Sequence, residues 1–429
     1  MFGLFRFEYV IFLFFAGLLF GTAFYPYLIT NLGLLFFILI GVYFISKYKI
    51  SLPRNSINRI FIVFILYDIL HLLIATHFIS LSEAYKVVIT LLAYVGIYII
   101  IQSYTSNSKN FARLNMIFAI IIFGESALAI LQHFSENYYI TNPNVGDETT
   151  RIVKGYDIFS YFNTRLAQDY YEARGTFGQK NQLGAFLVLL APYFICLASF
   201  QYRKNRSLTT VFYVVVALFV TIALYYSYSR AAWLGFGVSL LIMAFMALKG
   251  RTKFVLAFGW IGVLLLVLIN DTTIDFIYDY VLTTDTTLYQ RFPFWDATLN
   301  HINATPYYFL LGYSFVSPYI VDSFYNKFTW TPAGHNSYLT IFEGKGLFGL
   351  IIVLSLLIIT LKKIKEVWNN SENEEWKSMA LGIFTGIIGF MVSQLFDHKL
   401  FLYTIEINIF IVVLISMTLS LNRHMQKAE

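Results

Sequence analysis

Residues 333–361 read AGHNSYLTIFEGKGLFGLIIVLSLLIITL. The second half of this stretch is almost wholly apolar and long enough, with the residues before it, to cross about 30 Å of hydrocarbon as a helix. Its mouth is different: His335 and Asn336 stand at the entrance, and Glu343 and Lys345 follow about two turns in. A charge at the bilayer centre costs roughly 2.5 to 3.5 kcal/mol on insertion scales. Those groups therefore need partners or a task that offsets the cost.

Outward from this stretch the chain has the same character. Its 429 residues are 58% hydrophobic and only 13% charged, with 44 Phe and 32 Tyr. Such a composition excludes a water-soluble globular protein and indicates an all-α, polytopic membrane protein. The formal net charge of +6 does not point to nucleic acid, because short loops on one membrane face account for the basic residues. The single cysteine, Cys196, excludes an intramolecular disulfide. At the N-terminus, Arg6 before an apolar core and the small residues Gly21 to Ala23 resemble a signal peptide. Another apolar run follows at once, so an uncleaved first helix is expected.

Twelve runs are long enough to span: 8–24, 28–46, 60–79, 87–102, 114–133, 182–200, 208–228, 231–248, 254–270, 336–361, 378–396 and 400–421. The fourth and ninth are short. Arg6, the loop Lys47 to Arg59, Lys109 with Arg113, residues 203–206, Lys249 to Lys253, Lys362 to Lys377, and Arg423 with Lys427 fall in alternate connections. Together they make up more than half of the 30 basic residues. The positive-inside rule then makes that side cytoplasmic, both termini included.

The whole chain, 1–429, reads as one transmembrane domain with two long outer loops, 134–181 and 271–334. These loops hold Pro143, Pro293, Pro306, Pro318 and Pro332, and irregular backbone outside the membrane is where function concentrates. The second loop has room for short helices, and TLYQRFPFWDATLNHI at 287–302 suits one lying at the interface.

Four pieces carry the chemistry. In EARGTFGQKNQLGAF, 172–186, Arg174 precedes the sixth span, Gly175 and Gly178 allow a tight turn, and Asn181 is placed to cap the helix. In YYSYSRAAWLGFG, 225–237, Arg230 occupies the tip of a helical hairpin, among Tyr225, Tyr226, Tyr228 and Trp233 at aromatic-belt level. The segment YQRFPFWDATLNHINATPYYFLLGYSF, 289–315, brings Arg291 into the second loop, and the fourth piece is His335 with Asn336. Each has a plain structural reading as a cap, a headgroup-binding arginine or a hydrogen-bonding histidine. All four nevertheless fall at or above the outer edge of the hydrocarbon. Guanidinium groups stay charged and grip phosphate oxygens in pairs. A histidine beside them can take a proton from a hydroxyl at ambient pH. The sequence offers no convincing metal cluster, and pyrophosphate leaves readily once its charge is stabilised.

At these residues the chain resembles the O-antigen ligase and polymerase family of bacterial membrane glycosyltransferases. The resemblance rests on RGTFGQKNQLGAF, SRAAWLGF, RFPFW leading to LLGYSF, and GHNSYLTIFEGKGLFGL, and covers roughly residues 115 to 360. It implies a C-type glycosyltransferase architecture in the inner membrane, with the active site on the outer face and no cofactor or metal. The implied donor is an undecaprenyl-diphosphate-linked glycan. The acceptor would be a sugar hydroxyl, on a growing glycan or on a lipid A core. Arg174 and Arg230 would hold the diphosphate, Arg291 would help bind donor or acceptor, and His335 would be the general base of an inverting transfer or would orient the acceptor hydroxyl. Asn181, Asn336 and Glu343 would support the site.

The loop 271–334 carries Asp271, Asp275, Asp279, Asp285, Asp296 and Asp322 against only Arg291 and Lys327. A phosphorylated core would favour cationic loops, so the balance leans toward a repeat-unit polymerase over a ligase. A transporter is the rival class, because transporters place ionisable groups near the midplane. Asp68 and His71 share a face of the third span, and Glu125 and Glu406 are also expected to be buried. Interhelical hydrogen bonding is the simpler account of all four. Glu343 and Lys345 are expected either to satisfy one another or to line the cavity below His335.

Overall fold

The computed structural model describes residues 11–12, 15–16, 55–75, 81–134, 173–177, 179–204, 207–248, 250, 291–312, 335–397, 400–401 and 405–428. Among these the secondary structure is helical throughout, in eleven helices. They are α1 (Ser56–Ala75), α2 (Leu81–Tyr104), α3 (Lys109–Phe134), α4 (Lys180–Arg203), α5 (Ser207–Tyr226), α6 (Arg230–Ala247), α7 (Arg291–Ile302), α8 (Pro306–Leu311), α9 (Ser337–Asn370), α10 (Glu374–Ser393) and α11 (Ile405–Ala428). Nine are long and apolar enough to cross a membrane, so the protein is an all-α multi-pass membrane protein.

Those nine coincide with nine of the twelve runs expected from hydropathy. The runs 8–24, 28–46 and 254–270 lie almost wholly outside the described residues, as do most of the two long loops. The fourth span is longer than its apolar run, because α2 starts at Leu81. The tenth reaches Asn370 and is broken at Gly346. Of the expected interfacial helix at 287–302, residues from Arg291 onward form α7, which packs on α9.

α4 is the central helix, buried along nearly its whole length between α5, α6 and α10. α10 approaches α4 and α6 through glycines: a Cβ on Gly386 would stand 2.3 Å from the Leu189 carbonyl oxygen, and one on Gly389 2.6 Å from that of Gly235. Small residues at such crossings let helix backbones touch, which is the main source of packing energy where lipid is as apolar as leucine. Ser239 on α6 spans the same contact, donating to the Thr385 carbonyl at 2.9 Å.

The helix ends carrying Lys109, Arg203, Lys377 and Lys427 gather at one end of the bundle, where His424 meets the Thr105 carbonyl and packs on Phe111 and Trp376. Bonds between helix ends tie that basic end together, among them Thr105 Oγ1 to Ser420 Oγ at 2.6 Å and Arg203 Nη2 to Ser378 Oγ at 3.5 Å. α4, α6 and α9 all begin at the opposite end, where the sequence puts Arg174, Arg230 and His335.

Candidate functional site

The segment before α4 is held by two polar residues on one face of α3, seven positions and so about two turns apart. Gln132 Oε1 accepts from the backbone N–H of Arg174 at 3.1 Å and of Gly175 at 2.8 Å, while its Nε2 donates to the Gly175 carbonyl at 2.8 Å. Glu125 accepts from Thr176 N–H at 2.7 Å and from Thr176 Oγ1 at 2.9 Å. Gly175 takes φ +60°, and a Cβ there would fall 1.8 Å from Glu125 Oε1, so this turn requires glycine. Glu125 is thus buried as expected and serves hydrogen bonding, to the turn rather than to a second helix. Gly178 and the side chain of Glu406 lie outside the described positions.

The Arg174 turn is in turn bonded to the α5–α6 hairpin. Ala173 N–H donates to the Tyr226 carbonyl at 3.0 Å. His133 stacks on Tyr226 with ring centroids 3.8 Å apart. One turn into α4, a Cβ on Gly184 would lie 2.8 Å from both Ser229 Cβ and Ala232 Cβ. Arg230 opens α6 at the hairpin tip, as expected, with its side chain exposed. The aromatics of the hairpin cluster: Tyr225 and Trp233 stack at 5.6 Å, and Trp233 Nε1 donates to the Leu224 carbonyl at 3.0 Å.

One expectation fails here. Asn181 does not cap α4, because the helix begins at Lys180 and places Asn181 inside the first turn. The cap position is Gln179, which makes no capping side-chain bond, and Ser229 at the start of α6 makes none either.

α9 begins differently. Asn336 is its N-cap, the side chain accepting from Tyr338 N–H at 3.0 Å and Leu339 N–H at 3.1 Å. His335, directly before it, adopts φ +43°, a left-handed conformation uncommon outside glycine. Ser337 pins this start to the end of α10. Its N–H lies 2.9 Å from the Gln394 carbonyl oxygen and 2.7 Å from that of Asp397. Its hydroxyl donates to Gln394 Oε1 at 2.8 Å and accepts from Leu400 N–H at 3.1 Å. Ser337, Gln394 and the buried Asp397 were not singled out from sequence, and a serine after His-Asn gave no signal that could have found them.

The polar residues lower on α9 also depart from expectation. Lys345 does not pair with Glu343, since residues two apart on a helix point to different sides. Lys345 Nζ instead meets both carboxylate oxygens of Asp68 on α1, at 2.7 and 2.8 Å. Asp68 and His71 do share a face, and His71 Nε2 lies 2.8 Å from the Leu311 carbonyl oxygen. These are the interhelical contacts expected of them. Glu343 is buried on α9.

The structure therefore brings Arg174, Arg230 and His335 to one end of the bundle. The segments bearing the first two are joined directly, and the start of α9 is joined to them through α10, which contacts both α6 and α9. Arg291 opens α7, and its side chain lies outside the described positions. Residues 214–354, which include Arg230, α7, α8 and His335, match the family model described as O-antigen ligase.

This stretch is similar to the O-antigen ligase family.

Among curated proteins, none matches the chain. The O-antigen ligase match begins within α5 and ends within α9. Arg174 and its holders Glu125 and Gln132 lie outside it, as do α1 and Asp68. The similarity to the O-antigen ligase family therefore extends over the part of the chain that holds Arg230 and His335 and not over the whole of it.

Proposed function

We propose that the protein transfers a glycan from a polyprenyl-diphosphate donor to a sugar hydroxyl, on the outer face of a bacterial inner membrane. The observation that carries this reading is the shared end of the bundle: the segments bearing Arg174 and Arg230 are joined by the Ala173–Tyr226 bond and the Gly184 contact, with His335 at the start of a neighbouring helix. The first turns of α4 and α6 lie at this same end. Helix N-termini bind phosphate oxygens through free N–H groups and a favourable dipole, and arginine adds paired hydrogen bonds.

In this reading Arg174 and Arg230 hold the diphosphate, and the helix of Arg291 contributes from the second loop. The His335 imidazole accepts the proton of the acceptor hydroxyl as its oxygen attacks the anomeric carbon. The bond from that carbon to the phosphate oxygen breaks, its electron pair leaving with the diphosphate, and the configuration inverts. The arginines stabilise the charge that develops on the leaving oxygen, which is where electrostatic help lowers a barrier most. Asn336 and Ser337 hold the backbone from which the imidazole projects.

The acidic balance of the loop 271–334 favours repeat-unit polymerisation over ligation to a phosphorylated lipid A core. Asp68 and His71 were the midplane groups that suggested a transporter, and their engagement by Lys345 and Leu311 supports an architectural role instead. Purified protein incubated with a lipid-diphosphate-linked repeat unit, with and without lipid core, tests the proposal by product size. A ladder without core is the expected result. One addition per core would identify a ligase, and no transfer in either arm would refute the proposal.

A further inference from the structure

The joint between α8 and α9 has no part in the chemistry above. α9 is interrupted at Gly346, whose φ of 67° and ψ of −176° lie in a region essentially closed to residues with a side chain. Gly312, which ends α8, takes nearly the same conformation, φ 75° and ψ −179°. A Cβ on Gly346 would stand 2.3 Å from the Leu310 carbonyl oxygen, and one on Gly312 2.4 Å from the Gly346 nitrogen. The two backbones touch directly. By the helical rise this contact lies on the order of 16 Å along α9 from His335. At that depth, peptide groups freed by a helix break need other partners.

One face of α1 supplies them. The Tyr67 hydroxyl donates to the Lys345 carbonyl at 2.5 Å, and the His71 ring reaches the Leu311 carbonyl, one from each side of the joint. A carbonyl only accepts, so His71 meets it with Nε2–H. Between them Asp68 takes the Lys345 ammonium, which also sits 5.2 Å from the centre of the Phe64 ring. The Lys345 and Asp68 side chains are only 1% and 3% exposed. An ion pair so deeply buried adds little stability over an apolar pair of equal volume. Where it has a use, that use is to select one arrangement of the surrounding elements.

We infer that Tyr67, Asp68 and His71 with Lys345 form a clamp that seats the α7–α8 segment in the break of α9, and thereby fixes the helix opened by Arg291 relative to His335. These are positioning residues. Their consequence for turnover rests on the proposed function, whereas the seating itself does not. The clamp lies partly outside the O-antigen ligase match, since α1 precedes it.

Spin labels at positions 300 on α7 and 348 on α9, both exposed, read the seating as a distance distribution in the full chain reconstituted in liposomes. Cys196 is buried and stays in place. The intact clamp should give one narrow distribution, and Asp68→Glu should keep it. Asp68→Asn and Lys345→Met should broaden it and lower glycan transfer on the order of a hundredfold, as displaced catalytic groups do. Asp68→Leu combined with Lys345→Met removes both charges, so thermal stability should return close to that of the parent. Distribution and transfer should stay impaired, and if the single variants fail to fold this double variant decides alone. A narrow distribution in the double variant would overturn the clamp. No transfer by the parent protein would instead refute the proposed function while leaving the distance result to judge the clamp.

Discussion

Glu125 on α3 accepts two hydrogen bonds from Thr176, one from the backbone N–H at 2.7 Å and one from the hydroxyl at 2.9 Å, and so fixes the turn that presents Arg174. Glu125→Ala leaves both donors buried without that acceptor, at about 1–3 kcal/mol for each unsatisfied group. The expected result is a lower unfolding temperature together with a raised KM for the lipid donor. Glu125→Gln keeps one acceptor for the N–H and offers the hydroxyl a donor, so it should retain most of both. Thermal unfolding in detergent and donor titration check the pair of variants.

Arg230 stands exposed at the start of α6, where it can meet a ligand from outside. Arg230→Lys keeps the charge and loses the planar fork, so the donor KM should rise about tenfold, equivalent to about 1.4 kcal/mol. Arg230→Ala should raise it further, with protein levels unchanged. Equal KM values for arginine and alanine would remove Arg230 from the diphosphate site.

His335→Ala should lower the turnover number by roughly 10² to 10⁴, the range for loss of a general base, while leaving donor affinity in place. Single-turnover kinetics with saturating donor separates the two. Retained turnover would assign the proton transfer elsewhere.

Asn336 and Asn373 are both N-caps, of α9 and α10, and each accepts from two backbone N–H groups. Replacing either with alanine should cost about 1 kcal/mol of stability. Only Asn336→Ala should also depress transfer, because only that cap borders His335. Parallel unfolding curves and transfer rates for the two variants test the distinction, and Asn336→Asp should behave as the parent.

The spans were legible because lipid imposes one rule on every residue facing it, and a long apolar run has few other solutions. The hairpin tip at Arg230 was legible for the same reason: two such runs were separated by almost nothing. The cap of α4 was misread by two positions, since an asparagine inside the first turn and one at the cap look alike in sequence. The break at Gly346 left no trace, because glycine is common in membrane helices and its conformation depends on what approaches it. Here that is Leu310, brought in from another part of the chain. Lys345 was read against its neighbour Glu343, whereas its partner Asp68 lies 277 residues away. The Ser337 bonds to Gln394 and Asp397 span 57 and 60 residues and were likewise beyond the reach of local pattern.

The contact of Gly184 with Ser229 and Ala232, with the Ala173–Tyr226 bond above it, welds two distant stretches of chain into a single block. On the proposed reading, a negatively charged head arriving from the bilayer would encounter a socket already assembled. On that reading, whatever opens and shuts during a catalytic cycle would be a part that carries neither of those arginines.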